Sequence, residues 1–188
     1  MGQEVTVVGA TNTASYAATF VGLVGVAAAT DIVTITGATN RVVKVARITI
    51  SGIATAAAVA DVQIVRRTTA NTGGTSGSVT PVQRGDLLRD TSGNIVSYAA
   101  QATVLTYTAN PTLGTATAPS GGTLAAAKMS IGTASGTTST PLVFDFTAPG
   151  MSQPTLRGAA DVLAINLNGG TYAGNAYTGT IEFTEISQ

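Results

Sequence analysis

Paired carboxylates are the first residues in this sequence that could do chemistry, because a glycosidase needs two of them facing each other across a cleft. The chain of 188 residues has nine Asp and Glu, and its close pairs are Asp86 with Asp90 and Glu182 with Glu185. Glu182 and Glu185 are three positions apart, so on a strand they point to opposite faces. Asp86 and Asp90 lie next to arginines, which favours surface ion pairs. We therefore expect no catalytic site and no enzyme.

The residue types that the chain lacks exclude further mechanisms. Without His or Cys, thiol catalysis, Ser–His triads, the usual zinc sites and haem ligation are not possible. Nine Lys and Arg balance nine Asp and Glu, and only 10% of the residues are charged. So few cations cannot bind nucleic acid mainly through its phosphates. We expect no cofactor, no metal and no nucleic-acid partner.

Three short motifs favour structural interpretations. Residues 90–94 offer oxygen ligands, but the Gly and the twelfth-position Glu of an EF-hand are not in place. The Arg-Gly-Asp tripeptide at residues 84–86 occurs often by chance and is typical of a turn. Arg66 and Arg67 are adjacent on a predicted strand and face opposite sides. They predict two separate ion pairs rather than one cationic patch.

The elements that must position these residues are β-strands. Thr and Val fit a pleated surface, whereas the helix formers Leu, Glu and Lys are scarce. Alternating apolar and polar residues predict strands at 31–36, 41–51, 58–67, 127–131, 142–146, 162–168 and 177–184. Weaker patterns predict strands near residues 79–83, 95–99 and 102–106, and residues 68–78 and 90–94 are predicted to form loops. The alternation changes phase near Ala46 and Arg47, which predicts either a β-bulge or a strand that switches sheets, and residues 168–170 predict a turn. The fold class is all-β, a jelly-roll-like antiparallel β-sandwich of residues 31–188 with an N-terminal arm.

Residues 1–30 allow two interpretations, an arm that docks on a neighbouring subunit or the first strands of the same core. As an arm, they would present apolar interface residues, namely Tyr16, Phe20, Leu23, Val24 and Val26. Deleting residues 1–30 would then leave a folded sandwich. The apolar run at 21–29 is shorter than the about 20 residues that span a bilayer, and no basic residue precedes it. We expect no membrane segment and no targeting peptide.

Four segments resemble those of small β-sandwich proteins from tailed bacteriophages and prophages. They are residues 31–37 (DIVTITG), 65–75 (VRRTTANTGGT), 107–114 (YTANPTLG) and 156–169 (LRGAADVLAINLNG). The resemblance extends over residues 31–185 and implies a virion structural protein of the capsid decoration (cement) type. It further implies a homotrimer on the outer surface of the capsid, bound to the major capsid protein and to copies of itself.

Two classes of function remain open from the sequence. The first is a decoration protein that stabilises the shell by binding between capsid subunits. The second is a head- or tail-fibre module that recognises a host receptor or a glycan, with Tyr107, Tyr172 and Tyr177 as the available aromatic platforms. The low charge and the Thr-rich surface favour the first class.

Overall fold

The computed structural model describes residues 13–26, 28–84, 88–89, 95–96, 99–116, 122–133 and 139–187. Within these ranges the chain forms fourteen strands and no helix. The strands are β1 (Thr13–Leu23), β2 (Ala28–Thr36), β3 (Arg41–Ala54), β4 (Ala58–Arg67), β5 (Thr75–Val79), β6 (Val82–Arg84), β7 (Leu88–Arg89), β8 (Ile95–Val96), β9 (Thr103–Ala109), β10 (Thr123–Thr133), β11 (Leu142–Asp145), β12 (Thr155–Arg157), β13 (Val162–Thr171) and β14 (Ala176–Ser187). The prediction of an all-β chain is confirmed.

Two curved layers of strands enclose one core. The β13 layer has the strand order β5-β9-β2-β13-β4-β10. The β14 layer has the order β6-β1-β14-β3, and β11 and β12 both pair with the free side of β3. The last residues of β10, Gly132 and Thr133, join the layers by pairing in parallel with the end of β3. Within each layer, neighbouring strands pair antiparallel. The architecture is the predicted jelly-roll-like β-sandwich.

Alternate residues of strands such as β3 and β14 form part of the core, whereas β2 and β13 are buried along continuous runs. On β14, Tyr177, Ile181 and Phe183 are buried, and they alternate with polar side chains on the outer face. The Phe183 ring stacks on the Tyr16 ring of β1 with a centroid distance of 5.4 Å. Burial of such apolar and aromatic area is the main stabilising contribution to a sandwich of this kind.

The predicted bulge in β3 is confirmed. Glu182 of β14 pairs with Arg47, but the next residue, Phe183, pairs with Val45, so Ala46 is the extra residue. One extra residue shifts the side-chain phase of a strand by one position. Residues on both sides of the bulge, such as Val45 and Ile48, therefore point into the same core.

The predicted turn at residues 168–170 is wrong, because β13 continues to Thr171. Asn166 pairs with Asp31 of β2 and Gly170 pairs with Ala29, so the intervening residues form a bulge within the strand. Asn168 and Gly169 have φ angles of 54° and 69°. Asn and Gly tolerate this left-handed conformation, which a turn and a bulge both require.

Residues 68–78 were expected to form a loop, but their last four residues belong to β5, which pairs with β9. The strand expected near residues 79–83 is divided instead. β5 ends at Val79 and β6 begins at Val82. Pro81 lies in the break, where its missing N–H is tolerated.

The described part of the N-terminal segment follows the second of its two interpretations, the first strands of the chain's own core. β1 lies between β14 and β6, and Tyr16, Phe20 and Leu23 are 2%, 5% and 8% exposed. These three side chains are part of the chain's own core rather than an exposed docking surface. Deleting residues 1–30 removes this strand and the start of β2, so the sandwich is not expected to survive the deletion. Residues 1–12 lie outside the described residues.

We expect Phe20→Ala to lower the free energy of unfolding by about 3–5 kcal/mol, the usual cost of a buried Phe-to-Ala cavity. The Phe20 ring covers Gly179 of β14, where an added Cβ would lie 2.6 Å from the ring. Urea unfolding of the wild type and of the variants measures this difference in the free energy of unfolding. Val59→Ala is the control, because Val59 is 61% exposed and its truncation should change stability by less than about 0.5 kcal/mol. Equal effects of the two substitutions would show that Phe20 is not a core residue.

Candidate functional site

The two adjacent arginines at the end of β4 form the predicted separate ion pairs. Arg66 binds Asp161 at 3.1 Å, and Arg67 binds Asp31 at 2.8 Å. The Arg66 pair is partly exposed, whereas the Arg67 and Asp31 side chains are only 6% and 0% exposed. Adjacent residues on a strand face opposite sides, and this places one arginine near the surface and the other in the interior.

The buried side chain of Asp31 accepts four hydrogen bonds from other side chains. Its Oδ2 accepts hydrogen bonds from Arg67 Nε at 2.8 Å and from Asn71 Nδ2 at 2.8 Å. Its Oδ1 accepts from Arg67 Nη2 at 2.9 Å and from Asn166 Nδ2 at 2.6 Å. We call Asp31, Arg67, Asn71 and Asn166 the Asp31 centre. The arginine donates a bidentate fork, which is the strongest geometry for a carboxylate.

The Asp31 centre extends to the loop that follows β9. Arg67 Nη1 donates to the carbonyl of Gly114 at 3.0 Å, and the N–H of Gly114 donates to Asn71 Oδ1 at 2.8 Å. A Cβ at Gly114 would lie 2.0 Å from the carbonyl oxygen of Thr69, so the loops approach each other closely here. The centre thereby links β2, β4 and β13 with the segments at 69–72 and 112–115.

The chemistry of the Asp31 centre is structural. Four donors occupy the two oxygens of the carboxylate. A general base or a metal ligand needs a free lone pair directed at its substrate. Asp31 could act in either way only by losing hydrogen bonds that stabilise the fold. Sequence reasoning identified the arginine of this pair but not its carboxylate, which lies 36 positions away.

Glu182 and Glu185 point to opposite faces, as predicted. Glu182 binds Arg84 at 2.6 Å on the outer face. Glu185 is buried and accepts hydrogen bonds from the N–H groups of Gln101 at 2.9 Å and Ala102 at 2.7 Å. These hydrogen bonds hold the segment that leads into β9 against β14. Burial, and then the Glu185 charge, raise the pKa of Tyr16, an effect that Arg41 opposes.

The three tyrosines considered as aromatic platforms are core residues. Tyr107, Tyr172 and Tyr177 are all buried, so a glycan cannot stack on their rings in this fold. The Tyr107 hydroxyl lies 3.4 Å from Thr34 Oγ1. In the described part of the chain, Tyr177 Oη is a buried polar atom without a hydrogen-bond partner.

Of the interface residues expected in the N-terminal segment, Val24 and Val26 remain accessible. Val24 is 59% exposed and Val26 is partly buried. Asn175 anchors this segment, because its Oδ1 accepts from the N–H of Gly25 at 2.9 Å and its Nδ2 donates to the carbonyl of Val26 at 3.2 Å. An interface role for these two valines stays a prediction.

Several sequence candidates fall outside the described residues. They are Asp86, Asp90, the loop at 90–94 and the Gly-Asp part of the Arg-Gly-Asp tripeptide. Among the residues that are described, no three His, Cys, Asp or Glu side chains are gathered to hold a metal ion. The same part of the chain contains no helix of the length and apolar character needed to cross a membrane.

We expect Asp31→Asn to lower the free energy of unfolding by about 3–5 kcal/mol, because it leaves the Arg67 guanidinium buried without a counter-charge. Asp161→Asn is the matched control, since Asp161 pairs with the neighbouring arginine at a partly exposed site and should cost less than about 1 kcal/mol. Chemical denaturation of both variants measures the difference. A loss at Asp31 no larger than the loss at Asp161 would contradict the structural role of the centre.

We expect Tyr177→Phe to leave the free energy of unfolding unchanged or to raise it by about 1 kcal/mol, because it removes an unpartnered buried hydroxyl. Burial raises the pKa of Tyr177, so the hydroxyl ionises more readily in the unfolded chain. This group therefore leaves the free energy of unfolding independent of pH below the unfolded pKa of about 10 and lowers it as the pH rises above that value.

Thermal unfolding of wild type and Tyr177→Phe between about pH 8 and pH 11 tests this dependence. The stability of the wild type should fall more steeply above pH 10 than that of the variant. Parallel curves would show that the Tyr177 hydroxyl is not shielded from solvent in the folded chain.

Comparison with known proteins adds no family to this description. Protein-family models, curated proteins and solved structures give no match to the chain. The site is therefore defined by its own contacts, which are a buried and fully bonded carboxylate, a second carboxylate that binds backbone N–H groups, and partly exposed ion pairs.

Proposed function

We propose that the chain is a structural virion protein that decorates a bacteriophage capsid and stabilises it by binding between capsid subunits on the outer shell. Its partners are the major capsid protein and copies of itself. The resemblance of four segments to phage β-sandwich proteins motivates this role. The role is one of assembly rather than catalysis.

The observation that supports the proposal is that the chain has few charged residues and that most of those described are paired with each other. In the described residues, four partly exposed ion pairs join eight charged residues, and a fifth pair is buried in the Asp31 centre. The whole chain has only nine cations and nine anions. Burying an unpaired charge at an interface is costly. A surface on which charges are few and already paired has a lower desolvation cost when another subunit covers it.

The outward positions of the strands support the same conclusion. On β1 and β14 they are occupied by hydroxyl side chains, among them Ser15, Thr19, Thr178 and Thr180, which are exposed or half-buried. Larger apolar side chains are also exposed, namely Val21, Val59, Leu124, Val143 and Met151. Short hydroxyls lose little side-chain entropy when they are covered, in contrast to Lys and Glu.

The stabilising mechanism is mass action. A protein that binds only the assembled lattice shifts the equilibrium away from disassembly by an amount that depends on its concentration relative to its Kd. Many copies on one shell repeat a modest contact many times. No single contact then has to be strong.

Cosedimentation with empty shells tests the proposal. The probe is shells of the major capsid protein encoded with this chain, stripped of decoration. We expect the purified protein to pellet with the shells, to saturate at several hundred copies per shell and to raise the temperature at which the shells disassemble. Shells that already carry their full complement are the control and should bind little more.

A handful of copies per shell, or none, would overturn this proposal. Binding of a few copies would favour the alternative of a head- or tail-fibre module that recognises a host receptor or a glycan. Binding in large numbers without any change in shell stability would contradict the stabilising role.

A further inference from the structure

Asn168 and Gly169 form the one Asn-Gly sequence in the chain. Both residues lie in the bulge of β13, and their φ angles of 54° and 69° are left-handed. Neither neighbouring strand pairs with them in the described structure, because the β2 ladder skips from Asn166 to Gly170 and the β4 ladder ends at Asn166. Regular strand pairing therefore does not hold the peptide bond between Asn168 and Gly169.

This pair of residues is open to solvent. Asn168 is exposed, and its side-chain amide makes no hydrogen bond to any residue that the structure describes. A Cβ built on Gly169 would meet no atom within 4 Å. By contrast, the side chains of Asn71, Asn110 and Asn175 each use both the oxygen and the nitrogen in hydrogen bonds. The Asn168 amide is free to react where those three are held.

An asparagine that precedes a glycine can cyclise. The backbone nitrogen of Gly169, once a base has taken its proton, attacks the side-chain carbon Cγ of Asn168. The N–Cγ bond forms, the Cγ–Nδ2 bond breaks, and the amide nitrogen takes a proton from water and leaves as ammonia. Glycine favours ring closure because it has no Cβ to hinder the attacking nitrogen or to restrict the backbone.

Water completes the reaction by opening the succinimide ring. Attack at the side-chain carbonyl gives aspartate, and attack at the main-chain carbonyl gives isoaspartate, in which the main chain passes through Cβ. The overall change consumes one water and releases ammonia, and it converts a neutral amide into a carboxylate.

We propose that Asn168-Gly169 is a self-modification site, at which the folded chain converts Asn168 into aspartate and isoaspartate without an enzyme. The reaction adds a negative charge to the outer surface of the β13 layer. This charge lies beside the Lys128–Asp61 ion pair, which lines the same surface depression as Asn168. Isoaspartate also lengthens the main chain by one carbon atom inside the bulge.

The modified residue is connected to the Asp31 centre through Asn166. The N–H of Asn168 donates to Asn166 Oδ1 at 2.7 Å, and Asn166 Nδ2 donates to Asp31 Oδ1 at 2.6 Å. The pairs that Asn166 and Gly170 make with β2 fix the span of the bulge. An extra main-chain atom within that span strains the pairing. We therefore expect isoaspartate to weaken the Asp31 centre and aspartate, which keeps the backbone unchanged, to leave it intact.

Peptide mass spectrometry of the folded protein, incubated at physiological temperature, measures the reaction at each asparagine. We expect Asn168 to convert at least about tenfold faster than Asn40. Asn40 is the matched internal control, because it is also exposed and has a φ angle of 60°, but Arg41 follows it. The rate at Asn168 should rise from neutral to mildly alkaline pH, since the attacking group is a deprotonated nitrogen. Reversed-phase chromatography separates the aspartate and isoaspartate peptides.

Two variants test the effect on the fold. Asn168→Gln keeps an amide but would have to close a larger ring, so the same incubation should leave its urea unfolding curve unchanged. Freshly purified Asn168→Asp has the charge without the extra main-chain atom and should unfold like fresh wild type. Incubated wild type should unfold at a lower urea concentration than fresh wild type, in proportion to its isoaspartate content.

Two results would overturn the proposal or its consequence. If Asn168 stays an amide for as long as Asn40 does, the fold holds the pair away from the reacting geometry and the site does not exist. If incubation destabilises wild type and Asn168→Gln equally, or wild type not at all, the link to the Asp31 centre is wrong. Neither result bears on capsid binding, which cosedimentation measures separately.

Discussion

The fold depends on one buried interaction, the bidentate ion pair of Asp31 and Arg67. Removing these two charges from water costs several kcal/mol per ion, and their attraction offsets this cost only if the remaining hydrogen-bonding positions are filled. The amides of Asn71 and Asn166 fill them at the carboxylate, and the Gly114 carbonyl accepts from the arginine. The centre is complete only when three strands and two loops are in place together. It therefore selects one register of β2 against β13.

The Asp31 centre lies at the point where the regular pairing of β2 with β13 is interrupted. The β2–β13 ladder shifts register on both sides of the Asp31–Asn166 pair. On the other side of β2, beyond the last pair of the β2–β9 ladder at Val33, the Asn110 side chain accepts from the N–H of Thr30 at 3.1 Å and donates to the carbonyl of Ala28 at 2.9 Å. Buried backbone groups need such partners. In this region polar side chains therefore bind the backbone N–H and C=O groups that strand pairing satisfies elsewhere in the sheet.

The strands and the β3 bulge could be predicted from the sequence because side-chain alternation and its change of phase are local signals. The β13 bulge could not be predicted, because Asn168-Gly169 supplies the left-handed conformation that a turn also uses. Pairing of residues 170 and 171 with β2 decides between the two, and that information is not local. The same limit applies to the Asp31 centre, whose carboxylate and arginine come from different strands.

Small residues weaken the alternation pattern by which the N-terminal strand β1 could be recognised in the sequence. Its inward positions include Ala18 between Tyr16 and Phe20, and Ala18 is fully buried. The register shift between Phe20 and Leu23 then breaks the alternation of the larger side chains. A strand of eleven residues that contains three alanines and a bulge has the apolar spacing of neither a regular strand nor a helix, which is why an arm and a first strand were both compatible with the sequence.

Burial decides what an ion pair contributes in this chain. At the Asp31 centre, loss of one partner leaves a charge in the interior, so the pair constrains the fold. In the Arg47–Asp145 and Arg84–Glu182 pairs, on the outer side of the β14 layer, the same residue types keep access to water, and a pair there contributes only about 0–1 kcal/mol. Those surface charges add little to the stability of the sandwich, yet strand pairing fixes their order across the layer. The same two kinds of charge therefore constrain the fold in the interior and leave its stability almost unchanged at the surface.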